Sequence, residues 1–371
     1  MARIIIAGAG LAGLSCALAL NRFGFDVTVL EKKTFPFHKV CGEYVSNEVL
    51  PFLYSLGIDL GACGPAGLER LRVTSPSGRA FERRLDLGGF GVTRHRFDDL
   101  LYRACIARGV RILTGTRVGG TRCADSRSCA RHPDGEPEAD LVIGAWGKRS
   151  NLDQALGRSF FRNRSPYMAV KYHIRTAFPR DLIQLDMFPG GYSGICGVEE
   201  GMYSLCYLTR TDNLKRSGGI REMEERVLFT NRHLRAHLEK AADHGPPLVI
   251  NQVSFEGKPP AAGHILFCGD SAGMVSPLFG NGMAIAIRSG KMLAEVIQTH
   301  LRSDPRLSDR SGLERRYERE WQRNFRYRLV AGRLMQAICL QPVLAEAALV
   351  ALQVFPGAAG FVMKNSHGRP F

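Results

Sequence analysis

Gly8-Ala9-Gly10-Leu11-Ala12-Gly13, followed by Glu31, carries the clearest chemistry in this chain. Three glycines at that spacing give a tight turn, close approach of backbone to a pyrophosphate, and close helix–strand packing. The helix they open points free N–H groups and the positive end of its dipole at phosphate. Glu31 lies about 20 residues on, where a carboxylate takes a ribose hydroxyl. Lys32 is grouped with it as a cofactor-binding candidate. A second set is Gly269-Asp270 with Gly280-Asn281-Gly282-Met283. There an acid ends a strand and a glycine loop opens a helix, so Asp270 could bind another part of the same cofactor. An ordinary strand-to-helix turn is the alternative. Cys41-Gly42-Glu43 is a third set. Gly42 lets backbone approach a flat ring, and Cys41 is either a reactive thiol or a small buried hydrophobe.

The elements that must position these groups follow from local pattern. Arg3 to Ala7 is an apolar strand, Leu14 to Phe23 a helix ended by Gly24, and Asp26 to Leu30 a second strand. Leu68 to Ser75 and Arg79 to Leu87 alternate around the turn Pro76-Ser77-Gly78. A helix runs from Thr93 to Arg108, capped by Gly109, and Val110 to Leu113 is a strand. Thr116 to Gly144 reads as a hairpin region with a polar tip at Pro133-Asp134-Gly135, ending in the buried strand Leu141 to Gly144. From Pro166 to Val253 short alternating segments predict an antiparallel sheet, covered by one polar helix from Ile220 to Lys240. His264 to Gly269 is again a buried strand, and Ala284 to His300 a helix. Leu313 to Ala347 is helical, and Leu334 to Leu352 is the most hydrophobic part of the tail. The expected fold class is α/β, α+β overall. A Rossmann-type dinucleotide-binding domain (1–67, 93–160 and 254–305) would carry an inserted antiparallel-sheet substrate domain (68–92 and 161–253) and C-terminal helices (306–371).

Composition narrows the function. The chain has 371 residues, ten scattered cysteines and a net charge of +15. No CxxC pair or Cys/His spacing suggests a metal site or a disulfide framework, so no metal is expected, and a reducing, cytoplasmic setting is. No apolar run of about 18 residues predicts a membrane span. The positives are mostly arginines over the whole length, dense from Arg315 to Arg333, and no nucleic-acid motif accompanies them. Nucleic acid is therefore not an expected partner. An acidic redox partner or carrier protein could use that charge; the C-terminal helices read as a pair covering the core, with a resting place on a membrane as the alternative.

Three separated blocks together resemble the FAD-dependent oxidoreductases of the para-hydroxybenzoate hydroxylase fold. They are the glycine loop ending at Glu31, IGAWGKRS at 143–150, and GHILFCGDSAGMVSPLFGNGM at 263–283. HKVCGEYVS at 38–46 and MFPGGYSG at 187–194 bring the resemblance closer to the geranylgeranyl reductase branch and its bacterial flavin dehydrogenase relatives. The resemblance implies FAD, with Gly8, Gly10 and Gly13 at its pyrophosphate and Glu31 at its ribose. It further implies Arg94 near the FAD, Asp270 at the ribityl and pyrophosphate region, and backbone N–H groups of Gly280, Asn281, Gly282 and Met283 at the pyrimidine end of the isoalloxazine. Cys41 matches the cysteine that prenyl reductases place at the flavin's substrate face. One position departs: the middle block usually reads GADG, and Trp146 replaces the Asp, which weakens the expectation of NADPH-driven hydroxylation. With only Trp146 and Trp321, the chain cannot contain the Trp-x-Trp-x-Ile-Pro block of halogenases of this fold.

Two chemistries follow from the resemblance. The first is reduction or dehydrogenation of a carbon–carbon double bond in a lipophilic prenyl, polyene or polyketide-type substrate, with an acid at Cys41 or in the loop at Gly191-Tyr192. The second is hydroxylation of a lipophilic phenol or quinone precursor. NAD(P)H, a ferredoxin and a separate flavin reductase all stay open as the electron donor.

Overall fold

The computed structural model describes residues 2–371 except 125–126, 134, 242–244, 356, 358–359 and 361–366, and except the side chains of 124 and 279. Asp134 of the expected polar tip, and part of the expected C-terminal helices, lie outside the described residues.

Isoleucine- and valine-rich runs build the first sheet. Its six strands lie in the order Ala261–Ala262, Ile265–Phe267, Leu141–Gly144, Arg3–Ala7, Asp26–Leu30 and Arg111–Leu113. All pairings are parallel except that of the Ala261–Ala262 edge. Strands buried on both faces need unbroken apolar sequence, and Ile4, Ile5 and Ile6 meet that need. The helix Leu11–Arg22 follows the glycine loop and packs on the long helix Gly282–Ser303. Their crossing is close because Gly290 has no side chain: a Cβ there would lie 2.3 Å from the Ala12 carbonyl oxygen.

The second sheet has eight strands, in the order Leu248–Asn251, Tyr167–Ile174, Tyr203–Arg210, Gly191–Gly197, Leu182–Phe188, Ala66–Thr74, Ala80–Gly91 and Tyr44–Ser46. It is antiparallel apart from the Leu182–Phe188 and Ala66–Thr74 pair. Its last strand, Tyr44–Ser46, pairs with Gly89–Gly91. The segment Lys32 to Glu43 therefore crosses from the end of one sheet to the edge of the other, and carries Cys41 across that junction. The expected hairpin region forms a separate small sheet of Gly120–Ala124, Arg127–Arg131 and Glu138–Ala139.

Three expectations change. The polar helix expected from Ile220 to Lys240 is broken into Ile220–Arg226 and Arg232–Glu239. Asn231 causes the break: it is fully buried, caps the second helix through its side-chain oxygen, and donates from Nδ2 to Thr74 Oγ1, Ser75 O and Met187 O. Tyr192 is not in a loop but in the strand Gly191–Gly197, because the turn is made one step earlier, at Gly190 with φ +75°. The C-terminal stretch forms the expected helix pair, Arg310–Cys339 and Pro342–Val354, but bends by 112° inside the span 313–347 expected to be helical throughout. Pro342 suits the first turn of the second helix and cannot continue the first.

Candidate active site

The glycine loop is shaped by contacts that only glycine permits. Gly8 has φ +110°, and a Cβ there would meet the Ala145 carbonyl oxygen at 2.4 Å; one on Gly13 would meet the Gly8 oxygen at 2.0 Å. Gly10 differs. A Cβ there would meet no backbone, only the ends of two flexible side chains at ordinary contact distance, the Lys39 ammonium at 3.7 Å and the Arg94 guanidinium at 3.9 Å. Gly10 is also the N-cap of Leu11–Arg22 and offers no side-chain cap. Two cations beside uncapped helix N–H groups are suited to a pyrophosphate. Glu31 is buried beside it and accepts hydrogen bonds from the Ala9 amide (2.8 Å) and the Lys33 amide (3.1 Å). These fix the carboxylate against the glycine loop while leaving lone pairs for a ribose. Lys32 is exposed.

Arg94 begins the helix Arg94–Ala107, capped by the Thr93 side chain. Its guanidinium forms two 2.7 Å bonds to Asp98, and Lys39 Nζ shares the same carboxylate at 2.7 Å. Burial alone would raise the Asp98 pKa, but Arg94 and Lys39 outweigh it and hold the carboxyl below its ordinary range. The Cys41 thiol lies close enough to the Arg94 guanidinium to interact with it electrostatically.

Cys41-Gly42-Glu43 is held from both sides. Glu43 is fully buried with φ +61°, an uncommon conformation for a glutamate. Its carboxylate pairs with the buried Lys171 ammonium, takes the Arg94 amide at 2.7 Å and contacts His173 Nε2 at 2.7 Å. Burial opposes the charge, yet His173 and Lys171 lower the Glu43 pKa below its ordinary value. His38 stacks on His95 (4.6 Å between centroids) and lies 5.1 Å from His173, so imidazoles line one side. Burial and the neighbouring His173 lower the His38 pKa. Cys196 donates to the Gly42 carbonyl at 3.3 Å, and burial pushes the Cys206 thiol up to about 12. Among the described residues, no group of His, Cys, Asp and Glu is arranged to hold a metal ion.

Asp270 faces the same region. Its carboxylate accepts no hydrogen bond among the described residues; burial raises its pKa, opposed by Lys258, Arg94 and Lys148. Burial lowers both Lys148 and Lys258 to about 8. A half-buried carboxylate without a protein donor fits a site for ligand hydroxyls. Gly269 has φ +61° and lies against Ala12, so the Asp270 loop abuts the first helix. Gly280 has φ +65°, with the Tyr44 ring 3.6 Å from its Cβ position. Asn281 is buried and donates to Glu48 at 2.9 Å, Gly282 opens the long helix, and Met283 is buried. Gly10, Arg94 and Cys41 thus neighbour one another at the glycine loop that Glu31 braces, with Asp270 close enough to Arg94 to interact electrostatically. These groups fit FAD.

Two residues behave differently. Trp146 turns its indole away, donating to Asp153 at 3.1 Å and meeting Phe267 edge to face at 5.2 Å. Asp153 is itself paired with Arg158 at 2.8 Å. Tyr192 is 3% exposed, within an apolar cluster that includes Met187, Leu208, Leu278 and Leu340. Its hydroxyl stands by Ser276 and the Leu278 amide, without a hydrogen bond of normal geometry. Surface hollows lined by Arg210, Asp212, Lys215 and Arg216, and by His264 and residues 306–311, lie on other parts of the chain from the residues named above.

Sequence reasoning gave Glu43 no role and missed Lys171 and His173. The available signal was Lys171 itself, a charged residue in the otherwise apolar strand Tyr167–Ile174.

A family model described as FAD binding domain matches residues 1–322. The chain is 24% identical over 379 residues to digeranylgeranylglycerophospholipid reductase 2 of Methanopyrus kandleri, covering 93% of this chain and 89% of the relative. It is 23% identical over 313 residues to aurachin C monooxygenase/isomerase of Stigmatella aurantiaca, covering 79% and 80%. The structure of a flavin-dependent brominase superposes with a TM-score of 0.80 at 19% identity, covering 98% of this chain and 93% of that one. The chain belongs to the FAD-binding domain family of the para-hydroxybenzoate hydroxylase fold, and is an FAD-dependent oxidoreductase.

Proposed function

We propose that the protein reduces a carbon–carbon double bond of a lipophilic substrate of the prenyl, polyene or polyketide type. The observation that carries this reading is the anchoring of Cys41 where the cofactor loop meets the substrate sheet. The Arg94 guanidinium stands near its thiol, and Glu43, two residues on, is tied to Lys171 and His173 of that sheet. FAD, when bound, supplies the hydride, and NAD(P)H or a protein donor supplies the electrons. Cys41 gives its proton to the second carbon, Arg94 steadies the thiolate left behind, and water restores the proton. Tyr192, closed into an apolar cluster, shapes the site rather than donating a proton. Likeness to a reductase of prenylated lipids supports the substrate class.

The likeness to a monooxygenase favours a second reading, hydroxylation of a lipophilic phenol or quinone precursor. Oxygen separates the two. The reduced holoprotein, mixed rapidly with aerated buffer, returns directly to oxidised flavin with or without a phenolic lipid if it is a reductase. A slow, lipid-dependent return with a hydroxylated product makes it a monooxygenase.

A further inference from the structure

Eight of the eleven large hydrophobic side chains exposed among the described residues fall between positions 327 and 355. Tyr327, Val330 and Leu334 follow i, i+3, i+7 spacing on the helix Arg310–Cys339. Val343, Val350 and Val354 follow i, i+7, i+11 spacing on Pro342–Val354, so each set makes a stripe on one helix face. Phe355, just past the helix end, is also exposed, and Val343 is 80% exposed. The opposite faces are already committed. Phe325, Gly332 and Gln336 are buried on the first helix, as are Ala345 and Leu349 on the second. Glu346, the one charged residue of the second helix, borders the stripe at i+3 from Val343 and is bound to Ser77 and Arg79.

Positive charge lies beside this ridge. Arg319, Arg323 and Arg326 are exposed on the turns preceding Tyr327 and form no ion pair among the described residues. Among the described residues no single helix is long and apolar enough to cross a membrane, and the pair is sharply bent. An apolar ridge of this size, flanked by unpaired arginines, complements a surface that is greasy inside and negative at its edge.

We infer that the bent helix pair seats this protein on the surface of an anionic lipid bilayer, with the Tyr327–Phe355 ridge in the acyl boundary and the arginines on the headgroups. The contact stands on exposure and charge alone and does not depend on which reaction the flavin performs.

The test is co-flotation of the FAD-loaded protein with vesicles of phosphatidylglycerol and phosphatidylcholine, beside vesicles of phosphatidylcholine only. The protein floats with the anionic vesicles, and added salt weakens the association. Replacing Arg319, Arg323 and Arg326 together by Gln lowers the partition by roughly 100-fold at low salt. Leu334→Asp and Val343→Asp each lower it by roughly tenfold or more. Each variant keeps bound flavin and its thermal melt, which separates lost docking from lost folding. Absence of flotation at low salt overturns the inference. So does a dimer in light scattering that Val343→Asp dissociates, because the ridge would then be covered by a second copy of the chain.

Discussion

Glu43→Gln tests the anchoring of the Cys41 loop. The wild-type carboxylate faces the Lys171 ammonium with both side chains fully buried, and also engages His173 and the Arg94 amide. The amide has nearly the same shape but no charge. Lys171 then keeps neutral acceptors, such as the Lys39 carbonyl at 3.2 Å, and no anionic partner in this pair. Removing one member of a buried pair costs about 3–5 kcal/mol, since the other charge stays buried. With a urea slope of about 3 kcal/mol/M, the unfolding midpoint falls by about 1 M or more. The pH dependence has a definite sign. Folded Glu43 binds its proton less readily than the unfolded residue, whose ordinary pKa is 4.5. Its stabilisation is complete above that value and is lost as the pH falls below it through the folded value. Glu43→Gln removes this component of acid sensitivity, and Glu43→Gln with Lys171→Met recovers part of the lost stability. Urea unfolding of the holoprotein followed by tryptophan fluorescence, at neutral and acid pH, measures all three. A loss under about 1 kcal/mol at neutral pH would refute the account of the loop.

Glu31→Ala lowers FAD affinity by about 10- to 100-fold, since hydrogen bonds to a charged acceptor contribute about 1.5–3 kcal/mol; titration of the apoprotein with FAD reads it. Gly13→Ala destabilises the chain by about 1–3 kcal/mol, because the new methyl would overlap the Gly8 oxygen, and thermal melts measure the loss. Cys41→Ala keeps FAD affinity within about threefold while turnover falls by about 100-fold or more; retained turnover removes the thiol from the mechanism.

The cofactor cradle was legible because its signal is local. Glycines at fixed offsets, an apolar strand before them and an acid after the next strand are constraints that neighbours in sequence impose on each other. Gly290 serves the same cradle and was not legible, since its need for glycine exists only where two distant helices cross over Ala12. The Cys41 loop was half legible. Its spacing marked a close approach to a ring, but the partners of Glu43 come from a strand more than a hundred residues away. Asn231 looked like one more polar residue on a surface helix, and became a helix break only because Thr74, Ser75 and Met187 surround it. Tyr192 was misplaced by a single turn position. Trp146 read as the loss of a cofactor ligand, and the structure adds the Asp153–Arg158 pair that receives its indole.

The most direct test of the proposed reaction is single turnover without oxygen. The holoprotein is reduced photochemically, mixed with a geranylgeranyl glycerolipid, and followed by flavin absorbance while the lipid is sampled by mass spectrometry. The account predicts that oxidised flavin returns in proportion to added lipid, that the product gains one pair of hydrogens, and that Cys41→Ala slows both. Flavin that stays reduced against prenyl and polyene lipids alike, and reoxidises only when oxygen is admitted with release of a hydroxylated product, would contradict it.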